Sequence, residues 1–358
     1  MTPSKSLRIV FLGCLCILAV LACRKPVDAQ LRLVDEYISF TQLAKLALRH
    51  MPAEEAWRQA APDTVEISIP RKRGEEDQPA LWYHSGTSKK KPLLLVLHSW
   101  SDNYRQHFGI PYAVFAAKND WIFIHPDYRG EFNNAVATAS EQAVQDVLDA
   151  LEYAKAHAPV DDKRIYLAGF SGGAMMSLIM VGRYPEKFTA ALVWVPVFDL
   201  NDWYAALTHS ELYYRHDYMD DIRASCGGNP SADDQARAEC RKRSPSAYLG
   251  NARGKGVKVF ISGGIDDPFV PVSHAIRAFN ELADQHDGIS EADYRFIDDS
   301  EKLPASLRGQ RKKNLLFEEA GLPVLFERTS LGATLILFDG GHDIAYNAGF
   351  FWLSKQSR

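Results

Sequence analysis

Short apolar runs alternate with segments whose apolar residues lie three or four positions apart. Runs of the first kind predict buried strands and segments of the second kind predict helices. The predicted core strands are 93–97, 121–125, 165–170, 190–195, 257–262 and 334–338. The helices predicted between and after them are 111–118, 140–157, 172–183, 272–283 and a terminal segment. This alternation predicts an α/β fold, a mostly parallel sheet with helices on both faces.

Two long stretches, 201–250 and 284–330, interrupt this alternation and read as irregular. Both come after predicted strand ends, where the ligand sites of such sheets lie, so we predict lid-like insertions. Before the core, helical spacing over 33–60 gives way to two strand-like segments, 64–69 and 80–84. We therefore divide the chain into residues 1–29, a helical segment 30–62 and an α/β domain 63–358.

The first residues have the pattern of a targeting segment. Lys5 and Arg8 precede a 14-residue apolar run over 9–22, which is short for a membrane span but suits a signal peptide. Cleavage after Ala29 would release the chain, whereas removal of 1–22 would leave Cys23 as a lipidated N-terminus. Both alternatives predict an exported protein, periplasmic or secreted, with no integral span in the mature chain.

The five cysteines fit that compartment. Cys14, Cys16 and Cys23 lie in the targeting segment, which leaves Cys226 and Cys240. Because an oxidising compartment favours pairing, we predict a disulfide between them, with two separate buried thiols as the alternative. The cysteine spacing predicts no zinc site.

The composition is that of a folded globular protein. Hydrophobic residues make up 46% of the 358 residues and charged residues 24%, which excludes a disordered chain. The formal net charge of −4 provides no basic excess for a nucleic-acid backbone, so we expect no nucleic-acid partner.

One glycine-rich segment has the pattern of a nucleophile turn. Residues 169–173, Gly-Phe-Ser-Gly-Gly, match G-x-S-x-G, follow a predicted strand and open a predicted helix. A tight strand-to-helix turn needs glycines beside the serine and points its hydroxyl away from the sheet. We predict that Ser171 is the nucleophile, with the Gly172 N–H beside it.

A serine nucleophile needs a base, and on this architecture the chain order is serine, acid, histidine. His342 directly follows the last predicted strand, at the carboxyl edge of the sheet. His274 lies on a predicted helix and His286 in the second insertion, and we expect both at the surface. We predict that His342 is the base.

Two candidates for the carboxylate that orients the histidine lie in residues 264–271, Gly-Ile-Asp-Asp-Pro-Phe-Val-Pro, after the strand 257–262. The spacing Gly-x-x-Asp-x-x-Val-Pro favours Asp267 over Asp266, and Asp343 is a third choice. The carboxylate that does not serve as the acid is expected to cap the loop or the next helix.

The segment 98–101, His-Ser-Trp-Ser, follows the strand 93–97. We predict that the backbone N–H of Trp100, together with that of Gly172, faces the oxyanion that forms during acyl transfer. A packing role for the Trp100 side chain in the wall of the cleft is an alternative that is compatible with this one.

Together these segments resemble the catalytic domain of the prolyl oligopeptidase (S9) family, which has the α/β-hydrolase fold, and its esterase relatives, over about 92–355. The resemblance is carried by the loop at His98 and by residues 128–130, 169–173, 199–204, 243–245, 263–271 and 339–342. It implies a triad of Ser171, Asp267 and His342 with no metal or organic cofactor. The chain departs from the family at Ser99, where glycine is usual.

The predicted reaction is hydrolysis of an amide or ester in a small peptide or ester substrate through an acyl-enzyme. The resemblance favours a peptidase, whereas the short segment before the core, with no β-propeller, favours an esterase acting on small esters or acetylated carbohydrate. A catalytically inactive binding protein on this fold is the remaining alternative. The sequence predicts no oligomeric state.

Overall fold

The computed structural model describes residues 31–35, 38–45, 50–71, 75–212 and 214–358. The predicted targeting segment, with Cys23 and both cleavage alternatives, lies outside the described residues. Residues 33–358 form one compact unit. In the described ranges, no helix combines the length and the apolar character that a membrane crossing requires.

Nine strands of the described residues form a single sheet. In chain order they are β1 (Val65–Ile69), β2 (Gln78–Tyr83), β3 (Lys91–Leu97), β4 (Ile122–Pro126), β5 (Val160–Phe170), β6 (Ala190–Trp194), β7 (Lys258–Gly264), β8 (Val324–Ser330) and β9 (Ala333–Phe338). The spatial order is β1-β2-β4-β3-β5-β6-β7-β9-β8. The six strands from β4 to β9 in that order are parallel, and β1, β2 and β8 add antiparallel edges. The predicted fold class is confirmed.

Twelve helices of the described residues accompany the sheet. They are α1 (Phe40–Lys45), α2 (Ala53–Ala60), α3 (Ile110–Asn119), α4 (Glu141–His157), α5 (Gly172–Arg183), α6 (Leu200–His209), α7 (Arg215–Cys226), α8 (Asp234–Lys242), α9 (Ser273–Leu282), α10 (Glu291–Ser300), α11 (Leu315–Glu319) and α12 (Tyr346–Leu353). A short 3-10 turn, His107–Gly109, precedes α3.

Side chains of the central strands are buried on both faces of the sheet. In β6, Ala191 and Val193 belong to the large buried cluster that includes α4, α5 and α9. A Cβ added to Gly349 of α12 would meet Leu192 and Trp194 on the opposite face. Since successive residues of a strand point to opposite faces, this alternation explains why parallel strands appear in the sequence as continuous apolar runs.

Helix α4 begins differently from its sequence pattern. Thr138 and Glu141 have the spacing of a capping box. The residue that caps the helix is Ser140, whose hydroxyl accepts the Ala143 N–H at 3.0 Å. The Thr138 hydroxyl instead forms a 2.6 Å hydrogen bond with that of Ser225.

The insertion 201–250 is helical, so the expectation of an irregular stretch was wrong. It forms α6, α7 and α8, and two short 3-10 turns follow at Pro245–Ala247 and Leu249–Ala252. The structure joins the buried Cys226 and Cys240 in a disulfide that links the end of α7 to α8. Helices α7 and α8 bury few apolar residues. A disulfide between them reduces the conformational freedom of the unfolded chain and so stabilises the folded one.

The prediction that the whole of the second insertion, 284–330, is lid-like was wrong, because its C-terminal part belongs to the sheet. Its last seven residues form β8, which pairs with β9 from Ser330↔Ala333 onward. Leu331 and Gly332 connect the two strands with φ values of +46° and +95°. Two residues of positive φ fit a primed hairpin turn, but Leu-Gly lacks the usual Asn or Asp signal, which is why the sequence pattern did not reveal the hairpin.

Candidate active site

Ser171 lies in the turn between β5 and α5, with φ +56° and ψ −117°. This conformation is strained for a residue with a side chain, and strained backbone of this kind concentrates at functional sites. The turn is held because Ser171 N–H donates to the Trp194 carbonyl at 2.9 Å and Met175 N–H donates to the Ser171 carbonyl at 3.0 Å. A Cβ on Gly173 would lie 2.1 Å from the Leu97 carbonyl oxygen, so α5 can begin this close to β3 only with glycine there.

His342 and Asp267 meet at the same edge of the sheet. The His342 Nδ1 lies 2.6 Å from the Asp267 Oδ2, and the side chains are 11% and 2% exposed. The other oxygen of Asp267 accepts the backbone N–H groups of Phe269 at 2.8 Å and Val270 at 3.1 Å. Because a carboxylate oxygen accepts hydrogen bonds, the His342 Nδ1 is the donor in this contact, and Nε2 is the ring nitrogen that this contact leaves available to accept a proton.

Two aromatic rings flank the His342 imidazole. The Phe170 ring centroid lies 4.7 Å from that of His342 and the Phe269 centroid 5.1 Å from it. Because Phe170 directly precedes Ser171, its contact brings the imidazole beside the turn that carries the serine. The structure thus gathers Ser171, Asp267 and His342 at the carboxyl ends of β5, β7 and β9.

The two other candidate carboxylates lie elsewhere. Asp266 is exposed. Asp343 is buried, and its carboxylate accepts the backbone N–H groups of Thr41 at 3.0 Å and Ile344 at 2.7 Å. Burial raises the pKa of Asp343. The bond from Thr41 ties the first turn of α1 to the loop that carries His342.

The loop after β3 passes directly over the start of α5. A Cβ on Gly172 would lie 2.7 Å from the Trp100 nitrogen, so the two residues are in close contact. The Trp100 ring packs edge-on against Trp203, with centroids 4.8 Å apart, and its Nε1 donates to Asp221 at 2.9 Å. The backbone of Trp100 therefore lies against Gly172, and its side chain is buried.

A cleft of about 410 Å³ opens beside His342. One wall is α1, which sequence reasoning did not associate with the site, and Phe40 of that helix packs on Phe170 with centroids 4.8 Å apart. The opposite wall is formed by residues between Asp102 and Phe108, a segment that leads into the 3-10 turn before α3. The residues that line the cleft are Phe40, Thr41, Leu43, Ala44, Lys45, Asp102, Gln106, His107, Phe108 and His342.

A sequence model of the prolyl oligopeptidase family matches residues 106–301, more than half of the chain. The chain belongs to the prolyl oligopeptidase family. The matched range includes Ser171 and Asp267. Membership confirms the predicted family and, at the level of the family, the predicted enzyme class, a serine hydrolase.

Curated relatives of this prolyl oligopeptidase family member match it in part. An acetylxylan esterase of Coprinopsis cinerea is 30% identical over 123 residues, 31% of this chain and 33% of the relative. Acylamino-acid-releasing enzyme 2 of Oryza sativa subsp. japonica is 24% identical over 213 residues, 58% of this chain and 27% of the relative. The solved Pyrococcus horikoshii acylaminoacyl peptidase has a TM-score of 0.48 and 16% identity, over 61% of this chain and 34% of that chain. The chain thus spans about a third or less of these relatives.

Of the two other histidines considered as the base in this family member, His286 is exposed as expected and His274 is not. His274 is 2% exposed on α9, and its Nδ1 accepts the Phe198 N–H at 2.9 Å. Burial, and next the positive charge of Arg277, lower the pKa of His274 from 6.5 to about 3. The sequence did not predict the burial of His274, because a histidine that accepts a backbone N–H inside the fold produces no periodic apolar pattern.

The buried His274 predicts acid sensitivity of the fold. Its pKa is lower in the folded state than in the unfolded chain, so its stabilising effect is complete above pH 6.5 and is lost as the pH falls from 6.5 toward 3. Urea unfolding of wild type and His274→Gln at pH 7, 6 and 5 measures this contribution. We expect the free energy of unfolding of wild type to fall more steeply, by up to about 1.4 kcal/mol per pH unit below pH 6. Parallel curves for the two proteins would contradict it.

Proposed function

We propose that this chain is an exported serine hydrolase that cleaves an amide or ester through an acyl-enzyme. Ser171 is the nucleophile, His342 the general base and Asp267 the carboxylate that orients the imidazole. The observation that carries the proposal is the 2.6 Å contact between His342 and Asp267 beside the strained Ser171 turn. A purely structural aspartate–histidine pair would not need to lie near a serine in this conformation.

The reaction follows from this geometry. The His342 Nε2 accepts the proton of the Ser171 hydroxyl as its oxygen attacks the substrate carbonyl carbon. The backbone N–H groups of Trp100 and Gly172 donate to the oxyanion, and Asp267 stabilises the imidazolium. His342 then protonates the leaving amine or alcohol, and the same base activates a water molecule that hydrolyses the acyl-enzyme. No metal or organic cofactor takes part in the proposed steps.

Peptidase action is the first candidate for the bond cleaved, because the family match covers the central part of the domain. Ester hydrolysis is the second candidate, and the match to a relative named acetylxylan esterase supports it. The cleft beside His342 has an apolar side at Phe40, Leu43 and Phe108 and a polar side at Asp102 and His107. It can accommodate one part of a small peptide or ester.

Export is supported by two independent features. The apolar run over 9–22 has the length of a signal-peptide core, and Cys226 and Cys240 are joined in a disulfide. We place the start of the catalytic domain at residue 63. The preceding segment contributes α1 to the cleft.

Initial rates on p-nitrophenyl acetate and on a panel of peptidyl p-nitroanilides test the proposal, with Ser171→Ala as the control. Efficient anilide cleavage by wild type establishes a peptidase. Ester turnover with silent anilides establishes an esterase and directs the next assays to acetylated carbohydrates. No turnover on either substrate class would contradict the proposal and favour an inactive binding protein.

A further inference from the structure

Gln106 uses both ends of its side-chain amide on one residue of the loop after β3. The Ser99 backbone N–H donates to the Gln106 Oε1 at 2.8 Å, and the Gln106 Nε2 donates to the Ser99 hydroxyl at 2.6 Å. Ser99 is 7% exposed, so these two bonds are largely shielded from water. A paired contact of this kind fixes both the position and the rotation of the residue that it holds.

The residue that is fixed in this way forms the peptide that carries the Trp100 N–H. Because a peptide unit is planar, the direction of that N–H is set by the Ser99 Cα and carbonyl. The Ser99 carbonyl accepts a hydrogen bond from the Nδ1 of His98 at 3.0 Å. Burial lowers the pKa of His98 to about 4, so at neutral pH the ring is neutral with its proton on Nδ1. Gln106 therefore fixes the N–H and the side chain of Ser99, and His98 holds the carbonyl of the peptide unit that carries the Trp100 N–H.

The neighbouring carbonyls of the loop are anchored as well. The Tyr128 hydroxyl donates to the His98 carbonyl at 2.5 Å, and the Phe132 N–H donates to the Trp100 carbonyl at 2.8 Å. These bonds come from the segment after β4, whereas Gln106 approaches from the cleft side. They hold the ends of the loop, and the orientation of its middle residue depends on Gln106 and His98.

Gln106 is itself firmly placed. Its backbone N–H donates to the Asn103 carbonyl at 3.0 Å, and its own carbonyl accepts the Gly109 N–H at 3.1 Å. The Trp57 Nε1 also donates to the carbonyl of the preceding Arg105 at 2.7 Å. A side chain that starts from a fixed backbone can hold its partner with little loss of rotamer freedom during the reaction.

We infer that Gln106 is a positioning residue for the oxyanion site: through Ser99 it aims the Trp100 N–H at the point that the Gly172 N–H also faces. The inference rests on the proposed function. It concerns transition-state stabilisation, because the negative oxygen that both N–H groups would bind develops only as the carbonyl is attacked. Donors that are fixed in advance stabilise such a charge more than donors that must reorient.

Gln106→Leu tests the inference, since leucine is of similar size and makes neither hydrogen bond. With p-nitrophenyl acetate, whose acetyl group is too small to depend on the cleft, we expect kcat and kcat/KM to fall together by about 10- to 100-fold. KM stays within about threefold, which is the signature of a loss confined to the transition state. The matched control is Gln145→Leu on the exposed face of α4, which we expect to leave both constants unchanged.

Ser99→Ala is the second variant, because it removes the Gln106 Nε2 bond and keeps the bond to the backbone N–H. We expect a smaller fall in kcat, about 3- to 10-fold, with KM again unchanged. Unchanged kcat in both folded variants, or a rise in KM alone, would overturn the positioning role while activity abolished by Ser171→Ala would still uphold the proposed function. Full activity of Ser171→Ala would overturn both.

Discussion

Ser171→Ala lowers kcat/KM for the preferred substrate by about 10⁴-fold or more, because no other group supplies the attacking oxygen. Ser171 occupies a strained turn whose conformation is imposed by the packing of β5 and α5, and alanine experiences the same backbone strain as serine. We therefore expect the melting temperature to change little. Initial rates and thermal unfolding of the same preparation measure both quantities.

The control for this prediction is Ser231→Ala, which removes the hydroxyl of an exposed serine in the turn between α7 and α8. Full activity of the control together with loss in Ser171→Ala assigns the effect to the nucleophile. A Ser171→Ala protein that folds and retains more than about one per cent of the wild-type rate is incompatible with the acyl-enzyme mechanism.

Asp267→Asn has the second largest expected effect, a fall in kcat of about 10³- to 10⁴-fold. One oxygen of Asp267 accepts the N–H groups of Phe269 and Val270. In the variant this position must hold the amide oxygen, so the amide NH₂ faces the His342 Nδ1. That arrangement forces the proton onto Nε2, and the imidazole can no longer accept the proton of Ser171.

The neighbouring Asp266 provides the matched comparison. It carries the same charge one residue earlier but is exposed, so Asp266→Asn should change kcat by less than about threefold. Measuring kcat of the two variants on one substrate over pH 6 to 9 shows whether activity depends on the Asp267 carboxylate in particular. Equal losses in both variants would mean that the loop, rather than the Asp267 carboxylate, is what activity requires.

Much of the sheet could be predicted from the sequence because its central strands are buried on both faces. Such strands appear as continuous apolar runs, and the predicted run 93–97 lies within β3. The edge strand β8 was missed because only alternate residues are buried and its hairpin turn is Leu-Gly. A half-exposed edge strand lacks the continuous apolar run that identifies the central strands in the sequence.

Some residues of the candidate site could likewise be predicted from a local sequence pattern, and others could not. Ser171 could be proposed as the nucleophile from one local segment, since the glycines around it indicate a tight strand-to-helix turn that few other residues permit. The wall formed by Phe40 and the hold of Gln106 on Ser99 depend on contacts that only the folded chain creates. For Asp267 against Asp266 the sequence offered spacing alone, whereas the structure shows which of the two carboxylates contacts His342.

Stoichiometric labelling with a fluorophosphonate tests the central claim most directly, because this reagent reacts with an activated serine and mimics the tetrahedral adduct. Intact mass and peptide mapping of the labelled protein, with activity followed in parallel, give the number and place of adducts. The account predicts one adduct for each chain, on the peptide that contains Ser171, formed at the rate at which activity is lost and absent from Ser171→Ala. Turnover that persists after Ser171 is fully labelled, or complete inactivation with the adduct on another residue, would contradict it.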